Sequence, residues 1–338
     1  MSNARELAQI PSTPSGRRNL IINGGLTVWQ RGTAAVAVTS AFLADRFKIL
    51  ESSDAAITHE QSTDAPDGFA YSLKLNVTTA DTSLGSTQYS EIDYKVEAQD
   101  CQHLNYGSNA AKPVTLSFWV KSSKTGTYCI QFLKHDSTRY QYVKEYTIDA
   151  ANTWEKKTIT IEPDSTIKAS AAAITNDNGE GVRITWGLVY GSTYSAATDG
   201  VWSSDTNDYA TSNQVNWLDS TSNNFYLTGV QLEVGSVATE FEHRSYGEEL
   251  ALCKRYYQEL NPDERIVGGQ GSTRVFVYHL PVEMRADPEH TVTDSKGTTS
   301  TGGDTNGFKT LFRWRTAGES ASGWNPWSLA TIELDAEL

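Results

Sequence analysis

The sequence predicts an all-β protein. Three observations carry this: short segments in which apolar and polar residues alternate, abundant Thr, Ser, Tyr and Trp, and Gly/Asn/Asp/Ser clusters between the alternating segments. A chain of 338 residues is long enough for two domains, or for one large sandwich with a smaller appendage, and can bury a core without disulfides.

The alternation is clear where Val114, Leu116, Phe118 and Val120 interleave with Thr115, Ser117, Trp119 and Lys121. Successive side chains of a strand point to opposite faces, so this is a half-buried strand. The same period recurs at residues 140–148, 154–161, 182–190 and 225–234. Several short strands separated by turn-forming clusters predict a β-sandwich over residues 19–244.

One helix interrupts the pattern. Ser245 with Glu248 three residues later reads as a capping box, and Asn261-Pro262 reads as a stop, which predicts a helix over about residues 246–259. Its apolar positions, Tyr246, Leu250, Cys253, Tyr257 and Leu260, have the spacing of a two-heptad seam. On spacing alone the seam covers either its own sandwich or a partner helix. Residues 245–260 are therefore a linker or oligomerisation element, and residues 261–338 a small second β domain with strands near residues 273–281, 309–315 and 329–334. A Gly- and Thr-rich stretch around Gly302 and Gly303 separates the first two.

Composition excludes several functions. Asp and Glu number 41 against 28 Lys and Arg, a formal charge of -13, which repels duplex nucleic acid. No stretch approaches the ~20 apolar residues that span a bilayer, and residues 1–18 lack the apolar run of a secretory signal. The reading is a protein made soluble in the cytoplasm, without membrane insertion. Residues 1–18, with Pro11, Pro14 and Gly16, cannot build a core and are expected to form an arm that orders against a partner.

Catalytic signals are weak. Glu91 and Asp93 lie two apart on a predicted strand, about 7 Å between positions on one face, a separation compatible with a glycosidase pair. Paired acids on an exposed strand are more simply solvated, so hydrolysis is not predicted. The six histidines share no metal-binding spacing, the three cysteines (Cys101, Cys129, Cys253) read as small buried apolar side chains, and neither a Gly-x-Ser-x-Gly elbow nor a phosphate-binding glycine loop occurs. The expectation is a non-enzymatic protein without cofactor or metal.

The candidate binding surface is the polar stretch from Gly191 to Ser222, whose aromatic load is unusual for a loop. Tyr194, Trp202, Tyr209 and Trp217 lie there, and Tyr190 just before it, among Asn, Asp and Ser. Aromatic faces stack on the C–H faces of sugars while amides and carboxylates bind hydroxyls, so these five are candidate glycan contacts; each is equally at home in a core.

Residues 19–32, Asn-Leu-Ile-Ile-Asn-Gly-Gly-Leu-Thr-Val-Trp-Gln-Arg-Gly, followed by Ala44-Asp45-Arg46-Phe47, resemble the opening of a family of tail-fibre and virion-appendage proteins of tailed bacteriophages. The resemblance returns at residues 225–235 (Phe-Tyr-Leu-Thr-Gly-Val-Gln-Leu-Glu-Val-Gly), at 238–244, at 248–257 and at Leu280-Pro-Val-Glu-Met-Arg-Ala286. It implies a jelly roll similar to carbohydrate-binding modules, a homotrimer on the virion surface with the helix near the three-fold axis, docking of residues 1–18 on a tail or capsid protein, and contact with host surface polysaccharide. The alternative is a capsid-bound fibre, decoration or connector protein with no glycan affinity. Related sandwiches often hold calcium through acids after the first strand and in the last; here those places read Thr27 and Thr228-Gly229, which removes the carboxylates calcium needs.

Overall fold

The computed structural model describes residues 17–38, 40–260, 265–266, 274–294, 299–300, 305–316 and 327–338. The expected arm thus lies outside the described residues except for Arg17 and Arg18, and so does the stretch at Gly302 and Gly303. The chain divides into two compact units: residues 1–27 with 33–244, and residues 28–32 with 245–338.

The first unit contains β1 (Val36–Ala37), β2 (Phe47–Ser52), β3 (Ala56–Ser62), β4 (Ser72–Thr79), β5 (Tyr89–Glu97), β6 (Val114–Ser122), β7 (Gly126–Lys134), β8 (Tyr140–Ile148), β9 (Glu155–Ile161), a short helix α1 (Ser165–Lys168), β10 (Glu180–Tyr190), β11 (Trp202–Ser203) and β12 (Asn224–Val234). They form two six-stranded antiparallel sheets, β1-β3-β4-β12-β6-β9 and β11-β8-β7-β10-β5-β2. The chain passes repeatedly between the sheets, as from β4 to β5, β5 to β6 and β6 to β7. This is the jelly-roll sandwich. Its core is aromatic: Phe118 of the first sheet meets Trp186 and Tyr146 of the second edge-on, at 5.9 and 5.2 Å between centroids. Val114, Leu116, Phe118 and Val120 are all fully buried, as the alternation of β6 requires, but Thr115, Ser117 and Lys121 on the opposite face are buried too, so the expectation of a half-buried strand is corrected.

The first sequence motif closes this sandwich. Buried Asn19 accepts from the Ile21 and Leu232 amides and donates to the Val230 carbonyl, while the Ile22 amide donates to the Tyr94 hydroxyl at 2.6 Å. Arg244 donates to the carbonyls of Asn19 and Ile21. Residues 19–23, the middle of β12 and Arg244, far apart in sequence, thus satisfy one another's backbone groups.

The second unit opens with α2 (Tyr246–Lys254), followed by β13 (Tyr257–Leu260), β14 (Arg265–Ile266), β15 (Arg274–His279), β16 (Glu289–Asp294), β17 (Thr299–Ser300), β18 (Thr305–Phe308), β19 (Leu311–Thr316) and β20 (Trp327–Asp335). One sheet runs β13-β20-β16-β17, with β14 also on β20, and a second runs β15-β19-β18. Met284, Val292, Ile332 and Leu334 form its buried cluster, with Leu260 packed against them.

The Ser245 cap is present, its hydroxyl accepting from the Glu248 amide at 3.3 Å. The helix, however, ends at Lys254 rather than near Glu259, so the predicted seam is corrected. Tyr257 and Leu260 lie in β13, paired with Asp335 and Ile332 of β20. The reason is tertiary: pairing satisfies the backbone of residues 257–260 and buries Tyr257, and aromatic residues favour strands over helices. Of the three positions left on the helix, Tyr246 is 60% exposed and Cys253 fully buried, so they do not form one stripe.

Candidate functional site

The second sheet has one face in the aromatic core. Its other face is unusually polar. On β5 the outward series is Tyr89, Glu91 and Asp93; β10 contributes Arg183, Thr185 and Gly187, and β7 contributes Gln131. Such a face would ordinarily be solvated. Here Glu91, Asp93, Thr185, Gln131 and Gln141 are all buried, because the chain after β10 folds back over them.

This cover, residues 191–215, is held by its backbone, by amide and hydroxyl side chains and by one ion pair. Gln131 donates to the Asp208 carbonyl at 3.0 Å and Gln141 to that of Asp205. Thr211 and Asn213 both donate to Glu145. Gln214 accepts from the Cys129 amide at 2.7 Å, and the Val215 amide donates to the Thr127 carbonyl. Lys144 pairs with Asp199.

The cover starts with a local device. Gly187 stands opposite Glu91, and a bulge lies between Gly187 and Val189. A Cβ at residue 187 would lie 2.4 Å from a ring carbon of Tyr190, so only glycine lets that ring fold back over the strand. The Tyr190 hydroxyl thereby reaches Glu91 and donates to it at 2.5 Å. Asp93 accepts from the Thr185 hydroxyl at 2.8 Å and lies 3.5 Å from the Arg183 guanidinium. Burial pushes Glu91 up to about 8, with the neighbouring Asp93 charge adding to the shift, and burial raises Asp93 as well. The expectation that these two acids are simply solvated is corrected: they are 2% and 1% exposed.

The five candidate aromatic residues separate into two groups. Trp217 is fully buried and donates its indole N–H to the Asn224 carbonyl; Trp202 is buried against Phe132 and Tyr106 and donates to the Glu162 carbonyl. Tyr190 is buried over Glu91. These three are core residues, and their faces are not open to a ligand. Tyr194 and Tyr209 are half-buried, in edge contact with each other at 5.1 Å. Tyr209 also meets Tyr190 at 5.8 Å, and Tyr194 meets Tyr89 at 5.9 Å. Tyr89, also half-buried, was not singled out from sequence; its signal was the period-two series with Glu91 and Asp93. The result is a fixed surface cluster of three tyrosines, with exposed Asn207 beside it in sequence.

No group of three or more His, Cys, Asp or Glu able to hold a metal occurs among the described residues. The second unit contains a groove of about 690 Å³ lined by Tyr257, Glu259, Glu289, His290 and Glu333. Its Arg31 is engaged, stacked 3.7 Å above the Tyr257 ring and paired with Asp335 at 3.0 Å.

No family model matches the chain, and no curated protein matches it. Among solved structures it is similar to the enzymatically active domain of tailspike protein 4 of bacteriophage CBA120 (TM-score 0.32, 11% identity, 64% of this chain and 21% of that one). It is also similar to a family 11 carbohydrate-binding module from Clostridium thermocellum (0.31, 12%, 62% and 99%) and to the C-terminal family 22 carbohydrate-binding module of Clostridium thermocellum Xyn10B (0.30, 12%, 57% and 89%). The class of protein defined by the fold itself is a jelly-roll β-sandwich joined to a second, smaller β unit.

Proposed function

We propose that this chain is a non-catalytic glycan-binding and assembly module, a virion appendage of a tailed bacteriophage that contacts host surface polysaccharide through Tyr89, Tyr194 and Tyr209. The observation that carries the glycan reading is the cluster itself: three half-buried rings at the sandwich surface, Tyr194 in edge contact with both Tyr89 and Tyr209. Rings already ordered lose little conformational entropy on binding, and each offers an apolar edge beside a hydroxyl that can exchange hydrogen bonds with a sugar. A non-catalytic role accords with the buried carboxyl pair, which lies beneath this surface where no substrate bond reaches it. The appendage reading rests on the sequence motifs, with residues 1–18 docking on another virion protein and homotrimerisation completing the fibre.

The test combines light scattering with an array of bacterial surface glycans. A trimer with saturable binding that Tyr194→Ala/Tyr209→Ala abolishes supports the proposal. A folded protein that binds no glycan overturns the adhesive half and favours a purely structural decoration or connector protein. A stable monomer overturns the homotrimer.

A further inference from the structure

The cover over the second sheet rests on two buried acids, and their surroundings are short of positive charge. On the acids' own strand lie uncharged Tyr89 and, farther along, Lys95, which pairs with Glu180 at 3.1 Å. On β10, Arg183 is held by Glu180 through two hydrogen bonds of 2.8 and 3.0 Å, and lies 3.5 Å from Asp93. On β2 the residue opposite Glu91 is Leu50; Lys48 stands opposite Asp93, with its ammonium 5.3 Å from the centre of the Phe42 ring. Over Glu91 the cover side sets neutral Tyr190, with Tyr209 and Tyr194 in ring contact beyond it; the charged groups at the cover, Lys144 with Asp199 and Glu145 with Thr211 and Asn213, are engaged in those contacts. One oxygen of Asp93 has no hydrogen-bond partner.

A second charge at Glu91 therefore meets Asp93, a low-dielectric site and a guanidinium already shared. It can be relieved only by water. Water reaches Glu91 by displacing Tyr190, which is the last residue of β10 and adjoins the first residue of the cover. Tyr190 touches Tyr209, which touches Tyr194. Hydration at Glu91 is thus mechanically linked to the surface cluster through one chain of ring contacts.

We propose that residues 191–215 are a proton-gated cover: they close over the sheet when Glu91 carries a proton, and ionisation of Glu91 loosens them and disorders the tyrosine cluster. The sign follows from linkage. The closed form holds a proton on Glu91 up to about 8, whereas a solvated carboxyl releases it in the usual carboxylate range. Between those limits the closed form binds more protons than the open one, so closure weakens as pH rises, by up to ~10-fold per pH unit, and the dependence ends above about 8.

The experiment is amide hydrogen exchange on the full chain at about pH 6 and about pH 8, corrected for intrinsic exchange, with β6 amides as reference. Read at the Thr193, Ala197, Ala210 and Val215 amides, protection in the wild type should fall by up to ~100-fold relative to β6, and by less than ~3-fold in Glu91→Gln. Asp93→Asn, which removes the neighbouring charge, should weaken the pH response and carries the test if Glu91→Gln does not fold. The same pH response in wild type and variants, or none in the wild type, overturns the gate. Only its consequence, weaker glycan retention at alkaline pH, rests on the proposed function; exchange involves no glycan, so failure of the gate and failure of the glycan reading are seen separately.

Discussion

Gly187→Ala is the most direct probe of how the second sheet is covered. The new methyl would sit 2.4 Å from a Tyr190 ring carbon and 3.3 Å from the Gln214 side-chain oxygen. The ring cannot stay where it is. Overpacking of this kind costs about 1–3 kcal/mol, and the displaced hydroxyl leaves Glu91 without its donor, a further ~1–3 kcal/mol for a buried polar group. Since a ring that moves out relieves the clash while losing the bond, the two costs overlap, and the expected total is about 2–4 kcal/mol. Urea unfolding should show a lower midpoint at unchanged slope. The control is Gly247→Ala in α2, where a Cβ meets nothing within 4 Å and a helix gains up to ~1 kcal/mol from alanine. A change at residue 187 below about 0.5 kcal/mol would refute the close fit of Tyr190 against the strand.

Other substitutions test other parts of the reasoning. Trp217→Ala empties a fully buried site and removes one of the donors to the Asn224 carbonyl, so unfolding should be easier by about 3–5 kcal/mol, whereas a surface glycan contact would cost almost nothing. Asn19→Ala removes three buried hydrogen bonds, two to β12 and one to the Ile21 amide within the first motif; denaturation should report a loss of about 2–4 kcal/mol. Ser245→Ala should cost about 1 kcal/mol, with rapid exchange at the Glu248 amide. Burial holds His59 below its ordinary value, so the folded form resists its protonation. This contribution is lost as pH drops below about 6.5, while raised Glu91 acts with the opposite sign, so the measure is the difference between wild type and His59→Gln: the wild type should lose stability relative to the variant as pH falls, since Glu91, His103, His135 and His290 are common to both.

The strands of the sandwich were legible because each is set by a local period. Residues 140–148 read as a strand from alternation alone and are one. What alternation could not show was that β5 is buried on both faces. Glu91 and Asp93 read as solvated because the residues that cover them lie about a hundred positions later, and nothing local records that fold-back. The aromatic loop was misread for a related reason: Trp202 and Trp217 turn back into the main core against Phe132 of β7 and Phe225 of β12, and nothing local in the polar stretch records those partners. The helix overran for a related reason. Residues 255–260 fit a heptad as well as a strand, and the deciding partner, β20, lies some seventy residues downstream.

The five residues from Val28 to Gly32 group with the C-terminal unit although the chain on either side belongs to the sandwich. Gln30 donates to the Tyr257 carbonyl, and Arg31 stacks on Tyr257. A ribosome makes this pentapeptide more than two hundred residues before the unit that receives it. The second unit therefore cannot finish folding as an autonomous C-terminal piece. A fragment beginning at Ser245 lacks part of its own structure, a fragment ending at Arg244 carries an unreceived insert, and the Gln30–Tyr257 contact closes a loop of 227 residues in sequence.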